Sequence, residues 1–202
     1  MPPSKAQLYS ENLLGEKYKN AGLLIAKIRE LHENLSTLSQ ESDRPKSLST
    51  IASQLIHTKI LHHRDKDVRL LACCCVVDIL RIFAPEVFFM YRLEESSSPT
   101  YGTIITNHTL FVQAPYSDKA MVGVFDALIS QLRGLSNYDS ENALSSKIMY
   151  ILNSLASVKS CVVPVILATN KVAGMQEVVV SMFEALLSSV RPDHSQDIIS
   201  KK

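Results

Sequence analysis

Apolar residues recur every three or four positions along most of this chain, which is the spacing that places side chains on one face of an α-helix. These stripes predict amphipathic helices from Lys17 to Leu38, from about Ser47 to His62, from Asp118 to Gly134, from Asn142 to Lys159 and from Met175 to Val190. Leu23 in the first helix, and Phe183 and Leu187 in the last, fall on the stripes and are predicted to face inward.

Two residues are predicted to interrupt this helical pattern. Gly134 is a predicted C-cap, because glycine adopts the left-handed conformation at a helix end without steric cost. Pro164 is predicted to break or kink the apolar run from Cys161 to Ala168, because proline lacks an amide hydrogen.

The segment from Asp65 to Glu86 has a different pattern, because nearly all of residues 68–83 are apolar. Asp65 or Asp67 can cap the start of a helix there. After Arg69, only Asp78 and Arg81 interrupt the apolar run, and residues three apart share a helix face and can pair. A helix that is apolar nearly all round must be covered on several sides, so we expect it to form the centre of the fold.

Successive helices joined by short turns predict an all-α fold, a right-handed α-solenoid of HEAT/armadillo-type helical hairpins. Residues 47–62 are the predicted partner arm of the central helix, with His62 and His63 at the turn between the two. A metal-binding or proton-transfer role for these histidines would need partners that the nearby sequence does not offer, and a solvated loop pair is the favoured interpretation. The whole chain divides into a polar lead-in (1–16), helices (17–86), an irregular insertion (87–113), further helices (114–191) and a polar tail (192–202).

The exact amino-acid sequence of the central helix indicates a protein family more specifically than its apolar periodicity does. The pattern Asp-x-x-Val-Arg-x-x-Ala that starts at Asp65 resembles the second helix of a HEAT repeat. Residues 63–74 and 78–86 together resemble the N-terminal region of the "precocious dissociation of sisters" family, large HEAT-repeat proteins that bind and regulate cohesin. The resemblance resumes at residues 125–135 and 152–160.

In that family the helix leads into an Ala-Pro-acidic-Ala-Pro-aromatic motif, which is implicated in contacts with short peptide motifs of regulators. Carried over by residue, the resemblance implies a partner-binding site formed by Ala84, Pro85, Glu86, Ala114, Pro115 and Tyr116. Rigid prolines after the helix, a carboxylate that can meet a cation and an amphipathic ring suit such a contact. The residues alone are equally compatible with a stiff turn between helices whose tyrosine packs inward.

Residues 87–113 separate the two halves of this motif and lack helical periodicity. Codons for valine begin with GT, and glutamine can be encoded by CAG, so Val87 and Gln113 match the two ends of a spliceosomal intron. One hypothesis is therefore that the segment is a translated intron; the other is that it is a genuine surface insertion, which a loop tolerates at small cost.

The function that the resemblance implies is a non-catalytic, cohesin-associated regulatory scaffold that controls the maintenance and release of sister chromatid cohesion in the nucleus. Its implied partners are the cohesin kleisin subunit and the cohesin-release factor. The alternative is a general HEAT/armadillo adaptor or transport scaffold outside chromosome biology. An enzyme ranks third, because no phosphate-binding glycine loop, nucleophile elbow or paired metal-ligand spacing is present in the sequence.

Composition narrows this picture further. The net charge of +1 gives no support to direct DNA binding. Cys73, Cys74 and Cys75 are consecutive, so on a helix they diverge and cannot meet at one metal ion; buried apolar side chains are the favoured interpretation. We expect no metal, no cofactor and no secretion signal or membrane span. A chain that ends near Lys202 would leave its last hairpin without a neighbour, so we expect marginal stability or aggregation.

Overall fold

The computed structural model describes residues 9–39, 47–84, 116–137, 139 and 141–190. All the regular secondary structure of these residues is helical. The eight α-helices are α1 (Ala21–Ser36), α2 (Leu48–Leu55), α3 (Thr58–Leu61), α4 (Lys66–Ile82), α5 (Asp118–Leu132), α6 (Ala143–Ser157), α7 (Val162–Thr169) and α8 (Met175–Ser188). Two 3₁₀-helices, Glu16–Lys19 and Arg133–Asn137, precede α1 and follow α5.

Helix α4 lies at the centre of the fold, as its apolar run predicted. The carboxylate of Asp65 caps its start by accepting hydrogen bonds from the backbone amides of Asp67 (2.8 Å) and Val68 (3.4 Å). Thirteen of its 17 residues are buried, because α1, α2, α3, α5 and α6 all pack against it. Burial on so many sides explains why its sequence lacks a polar face.

The helices stack as consecutive hairpins. Helix α4 packs most extensively against α1 and next against α6, and α2 and α3 also pack against it; α5 packs against α6, and α7 packs against α8. The hairpins contact their neighbours, since α4 packs against α5 and α6, while α5 packs against α7 and α8. The predicted all-α solenoid of helical hairpins is confirmed.

The prediction of one continuous helix from Ser47 to His62 is wrong, because the helix is interrupted at His57. The backbone of His57 is extended (φ −63°, ψ 139°), and its Nδ1 accepts a hydrogen bond from the amide of Lys59 at 3.2 Å, so His57 caps the short helix α3. The apolar spacing gave no indication of the break. Both Leu55 and Ile60 remain buried across it.

Gly134 and Pro164 have roles other than those predicted. Gly134 lies inside the 3₁₀-helix that follows α5, and a Cβ there would lie only 2.7 Å from Cδ1 of Ile148. Its function is therefore close packing against α6, not a left-handed cap. Pro164 is the third residue of α7, in the first turn, where an amide would have no acceptor within the helix.

The predicted break at Pro164 is wrong, because α7 continues through this residue and the chain bends before the apolar run begins. Lys159 adopts a left-handed conformation (φ 53°), and α6 and α7 meet at 60°. Within the described residues no single helix has the length and apolarity to cross a membrane, although this bent pair passes the same test by length and composition alone.

Three side chains predicted to face inward are exposed instead. Leu23 is 51% exposed, Phe183 53% and Leu187 71%. The stripes of α1 and α8 are therefore wider than the faces that neighbouring described helices cover. Their neighbours Leu24 and Leu186 are buried as expected.

The end of the polar lead-in contributes to the core, which its composition did not indicate. Tyr9 and Leu13 are buried. The side chain of Gln54 on α2 fixes this segment, since its Oε1 accepts a hydrogen bond from the amide of Leu13 (2.6 Å) and its Nε2 donates to the carbonyl of Glu11 (3.1 Å).

The three consecutive cysteines of α4 are free and buried, so their interpretation as small apolar side chains is confirmed. Burial raises the pKa of Cys74 to about 12 and holds that of Cys75 well above its usual value. Such thiols are poor nucleophiles at neutral pH.

Candidate partner-binding site

The structure describes two of the six predicted partner-binding residues. Ala84 and Tyr116 are both only 5% exposed. Pro85, Glu86, Ala114 and Pro115 lie outside the described residues.

Ala84 is positioned by the end of α4. The amide of Phe83 donates to the carbonyl of Ile79 at 3.0 Å and closes the last turn. Arg81 fixes this end to α1, because its guanidinium donates to the carbonyls of Leu38 (2.7 Å) and Leu35 (2.9 Å). Arg81 thus ties α4 to backbone carbonyls at and just beyond the C-terminus of α1.

Tyr116 is positioned by the start of α5. Ser117 caps that helix, with its Oγ accepting a hydrogen bond from the amide of Ala120 at 3.3 Å. The ring of Tyr116 packs into the core, burial raises the pKa of its hydroxyl, and that hydroxyl has no hydrogen-bond partner among the described residues. The position of this ring agrees with the interpretation in which the tyrosine packs inward. A partner-binding role for the six residues stays a prediction.

Asp78 forms a buried polar cluster six residues, nearly two helical turns, before Ala84. Its carboxylate is fully buried and accepts hydrogen bonds from Tyr150 (2.5 Å) and Arg81 (3.3 Å), while Nδ1 of His32 lies 3.0 Å from its other oxygen. The rings of His32 and Tyr150 also meet edge to face, with centroids 4.8 Å apart. The cluster therefore connects α1, α4 and α6.

Burial of Asp78 is tolerated because both oxygens of its carboxylate have polar neighbours. The pKa of Tyr150 is raised, first by burial and then by its hydrogen bond to the Asp78 carboxylate. The predicted pairing of Asp78 with Arg81 is confirmed. His32 and Tyr150 were missed, because a carboxylate on an apolar helix shows that partners are required but does not identify residues 46 and 72 positions away.

The histidine pair lies at the turn before α4, as predicted. His62 is exposed, and Nδ1 of His63 accepts a hydrogen bond from the amide of Asp65 at 3.0 Å. In the part of the chain that the structure describes, no three His, Cys, Asp or Glu side chains are grouped so that they could hold a metal ion.

Comparison with known proteins gives a family for this arrangement. The sequence profile described as "Sister chromatid cohesion protein PDS5 protein" matches residues 23–91 and 110–201. The unmatched residues between these segments fall inside the predicted insertion.

The curated relatives have the same description. The chain is 26% identical to "Sister chromatid cohesion protein pds5" of Schizosaccharomyces pombe over 87% of its own length and 12% of that protein. It is 30% identical to "Sister chromatid cohesion protein PDS5 homolog A" of Arabidopsis thaliana over 77% of its length and 8% of the relative. The chain thus spans about a tenth of the length of these relatives.

A solved structure supports the fold. The structure described as "Structure of the Pds5-Scc1 complex and implications for cohesin function" matches 90% of this chain and 23% of that one, with a TM-score of 0.62 and 21% sequence identity. The profile match covers most of the chain in two segments, and the family resemblance predicted from the central helix is confirmed: the chain belongs to the PDS5 family of sister chromatid cohesion proteins.

Proposed function

We propose that this chain is the N-terminal segment of a cohesin-associated regulatory scaffold that acts without catalysis in the maintenance and release of sister chromatid cohesion. The observation that carries the proposal is the family profile match over residues 23–91 and 110–201. The stacked hairpins support it, because a solenoid offers an extended surface on which short segments of other proteins bind.

The proposed partners are the cohesin kleisin subunit and the cohesin-release factor, and the proposed location is chromatin in the nucleus. The similar solved structure is that of a complex between Pds5 and Scc1, which favours a kleisin partner. A general adaptor outside chromosome biology is the weaker candidate, because the curated relatives are named for sister chromatid cohesion.

We also propose that the split motif, Ala84 to Glu86 with Ala114 to Tyr116, contributes to partner binding. Arg81 and the Asp78 cluster hold the end of α4 against α1 and α6, so the first half of the motif follows a firmly held helix end. A preorganised support of this kind lowers the entropy lost on binding.

Binding by purified components tests the function. Fluorescence anisotropy would follow labelled fragments of the kleisin subunit and of the release factor, each titrated with the full chain and with a chain lacking residues 87–113. We expect saturable binding of at least one fragment, stronger for the shortened chain, and weakened by Glu86→Lys. Glu184→Lys, an equal charge change at an exposed position of α8, is the matched control. If neither fragment binds either chain, the adaptor function is favoured instead.

The origin of residues 87–113 is a separate proposal. We propose that they are a translated intron, since the profile match stops at residue 91 and resumes at residue 110. Sequencing of the spliced transcript decides between the alternatives: a message that lacks the segment in most copies supports an intron, whereas one that retains it shows a genuine insertion.

A further inference from the structure

Residues 9–15, here named the strap, precede α1 and contact the helices through alternate side chains. Tyr9 and Leu13 are buried and Glu11 is partly buried, whereas Ser10 and Asn12 between them are exposed. The strap belongs to none of the helices. A peptide bound to the surface of a protein shows the same alternation, because one set of side chains enters pockets and the other faces solvent.

The side chain of Gln54 on α2 holds the main chain of the strap. Its Oε1 accepts a hydrogen bond from the amide of Leu13 at 2.6 Å, and its Nε2 donates to the carbonyl of Glu11 at 3.1 Å. Both bonds are partly buried. Because they use only backbone groups of the strap, they would form equally with another peptide in the same position.

The side chains of the strap supply the selective contacts. The carboxylate of Glu11 pairs with Lys27 of α1 at 2.8 Å and accepts a hydrogen bond from Tyr18 at 2.6 Å. Lys27 is only 9% exposed, so this ion pair is better shielded than a surface pair. Tyr9 and Leu13, two positions to either side, are buried in the core. The recognised pattern is therefore an aromatic residue, a carboxylate and an aliphatic residue at alternate positions.

The helices do not need the strap to satisfy their own polar groups. Asn20 caps α1, because its side chain accepts hydrogen bonds from two amides of the first turn. Lys27 also pairs with Glu30, at 2.9 Å, and would keep this partner if Glu11 left. The family profile begins at residue 23, so it includes Lys27 and Gln54 but not the strap. The strap is thus separable from the helices that hold it.

The fit of the strap is incomplete at Tyr9. Its side chain is fully buried, and its hydroxyl has no hydrogen-bond partner among the described residues. A buried hydroxyl without a partner lowers stability, because it gives up its bonds to water without replacement. A peptide with phenylalanine at this position would keep the apolar contacts and avoid that loss.

We propose that the surface of α1 and α2 around Lys27 and Gln54, the strap site, binds a short segment of a partner protein with the pattern aromatic-x-acidic-x-aliphatic, and that the strap occupies this site in the unbound chain. The strap competes at high effective concentration, since only residues 16–20 separate it from α1. A partner segment binds the fraction of molecules in which the strap is released, so the strap controls access to the site. The site uses none of the split-motif residues.

The test measures fluorescence anisotropy of a labelled peptide with the sequence of residues 9–19, titrated into the full chain. One host is wild type, and a second carries Glu11→Ala/Leu13→Ala, which weakens the strap but leaves the site intact. The variant Leu23→Ala/Glu33→Ala, with the same two residue types replaced at exposed positions of α1, is the matched control. Circular dichroism verifies that each variant folds.

We expect the peptide to bind the strap-weakened chain with a Kd at least about tenfold lower than that for wild type or the control variant. The same peptide with Tyr9→Phe should bind at least as tightly. Equal Kd values in all three chains would overturn the proposal. Dimers of the wild-type chain that Glu11→Ala/Leu13→Ala abolishes would show exchange of straps between copies, and would overturn the assignment to a separate partner.

A second pair of variants tests the site itself. Adding Gln54→Ala to the strap-weakened chain should raise the Kd of the peptide by at least about fivefold, because both backbone contacts are lost. Ser53→Ala, at the exposed neighbouring position of α2, should change the Kd by less than about twofold. Equal effects of the two substitutions would show that the peptide binds elsewhere.

Hydrogen exchange of the unmodified chain, followed by NMR, tests the release of the strap without any substitution. A strap that opens by itself predicts that the amide of Leu13 exchanges at least about a hundredfold faster than the buried amides of α4. Equal protection of Leu13 and α4 would show that the strap leaves only when the whole chain unfolds, and would overturn the proposal.

Discussion

At the scale of single residues, Asp78 shows best how the fold depends on polar contacts inside an apolar core. A buried carboxylate is costly unless donors surround it, and here His32, Arg81 and Tyr150 do so. Arg81 simultaneously satisfies carbonyls at the end of α1. These few side chains connect three helices that are distant in sequence.

The substitution Asp78→Ala should lower the free energy of unfolding by about 3–5 kcal/mol, because it leaves Arg81 and Tyr150 without their shared acceptor. Urea denaturation measures the change. Asp126→Ala, at an exposed position of α5, is the matched control and should be nearly neutral. A cost for Asp78→Ala as small as that of the control would show that the cluster contributes little.

The two tyrosines near the site should respond in opposite ways to loss of the hydroxyl. Tyr150→Phe removes a donor to a buried carboxylate and should cost about 1.5–3 kcal/mol. Tyr116→Phe removes a hydroxyl that has no partner among the described residues, so stability should stay equal or rise. The urea midpoints of both variants test this, and a marked loss in Tyr116→Phe would reveal an acceptor for its hydroxyl.

At the scale of elements, the sequence predicts which segments are helical better than where they break. The spacing of apolar residues identified α1, α5, α6 and α8, since that spacing follows directly from burial of one face, whereas α4 was identified by its nearly continuous apolar run. The break at His57 was missed because Leu55 and Ile60 are buried on both sides of it. The role of Gly134 was predicted wrongly because glycine is needed there to leave room for Ile148 of α6. Such a contact between helices cannot be seen in the spacing of apolar residues.

The segment that leads into α1 is held by a polar cluster whose contribution depends on pH. Glu11 accepts a hydrogen bond from Tyr18 (2.6 Å) and pairs with Lys27 (2.8 Å). The hydrogen bond from Lys27 is the largest cause that lowers the pKa of Glu11, from 4.5 to about 2. A depressed carboxyl pKa stabilises the fold above the unfolded pKa, and this stabilisation is lost as the pH falls from about 4.5 to about 2.

The substitution Glu11→Gln should therefore flatten part of the decline in unfolding free energy between pH 4.5 and pH 2. Denaturation at a series of pH values measures the slope. Glu33→Gln, at an exposed position of α1, should leave the slope unchanged. Parallel curves for wild type and Glu11→Gln would contradict the assignment. Because Glu11 is partly exposed to solvent, we expect the effect on the unfolding free energy to be modest.

At the scale of the whole molecule, the hairpins form a stack in which each pair covers its neighbour. The stack leaves an apolar face on α8, where Val180, Phe183 and Leu187 are 56%, 53% and 71% exposed. The sequence placed Phe183 and Leu187 on an apolar stripe that we predicted to be buried. Apolar spacing alone does not show whether another described helix packs against the stripe. The surfaces that bind partners could not be predicted from the sequence either, because binding residues do not recur at a fixed spacing.

This face should make the isolated chain self-associate. The double substitution Phe183→Ser/Leu187→Ser should raise the monomer fraction in analytical ultracentrifugation without lowering the unfolding free energy, because both side chains are already exposed. Leu23→Ser on α1 tests whether any exposed leucine has the same effect. Unchanged association in the double variant would exclude the α8 face as its cause.

The most direct test of the account is hydrogen exchange of the chain lacking residues 87–113, measured by mass spectrometry with and without an excess of the cohesin-release factor fragment. A helical scaffold that binds cohesin regulators predicts slower exchange in peptides that contain the joined motif, around Ala84 to Glu86 and Ala114 to Tyr116, with little change in α8. Identical exchange along the whole chain in both samples would contradict it.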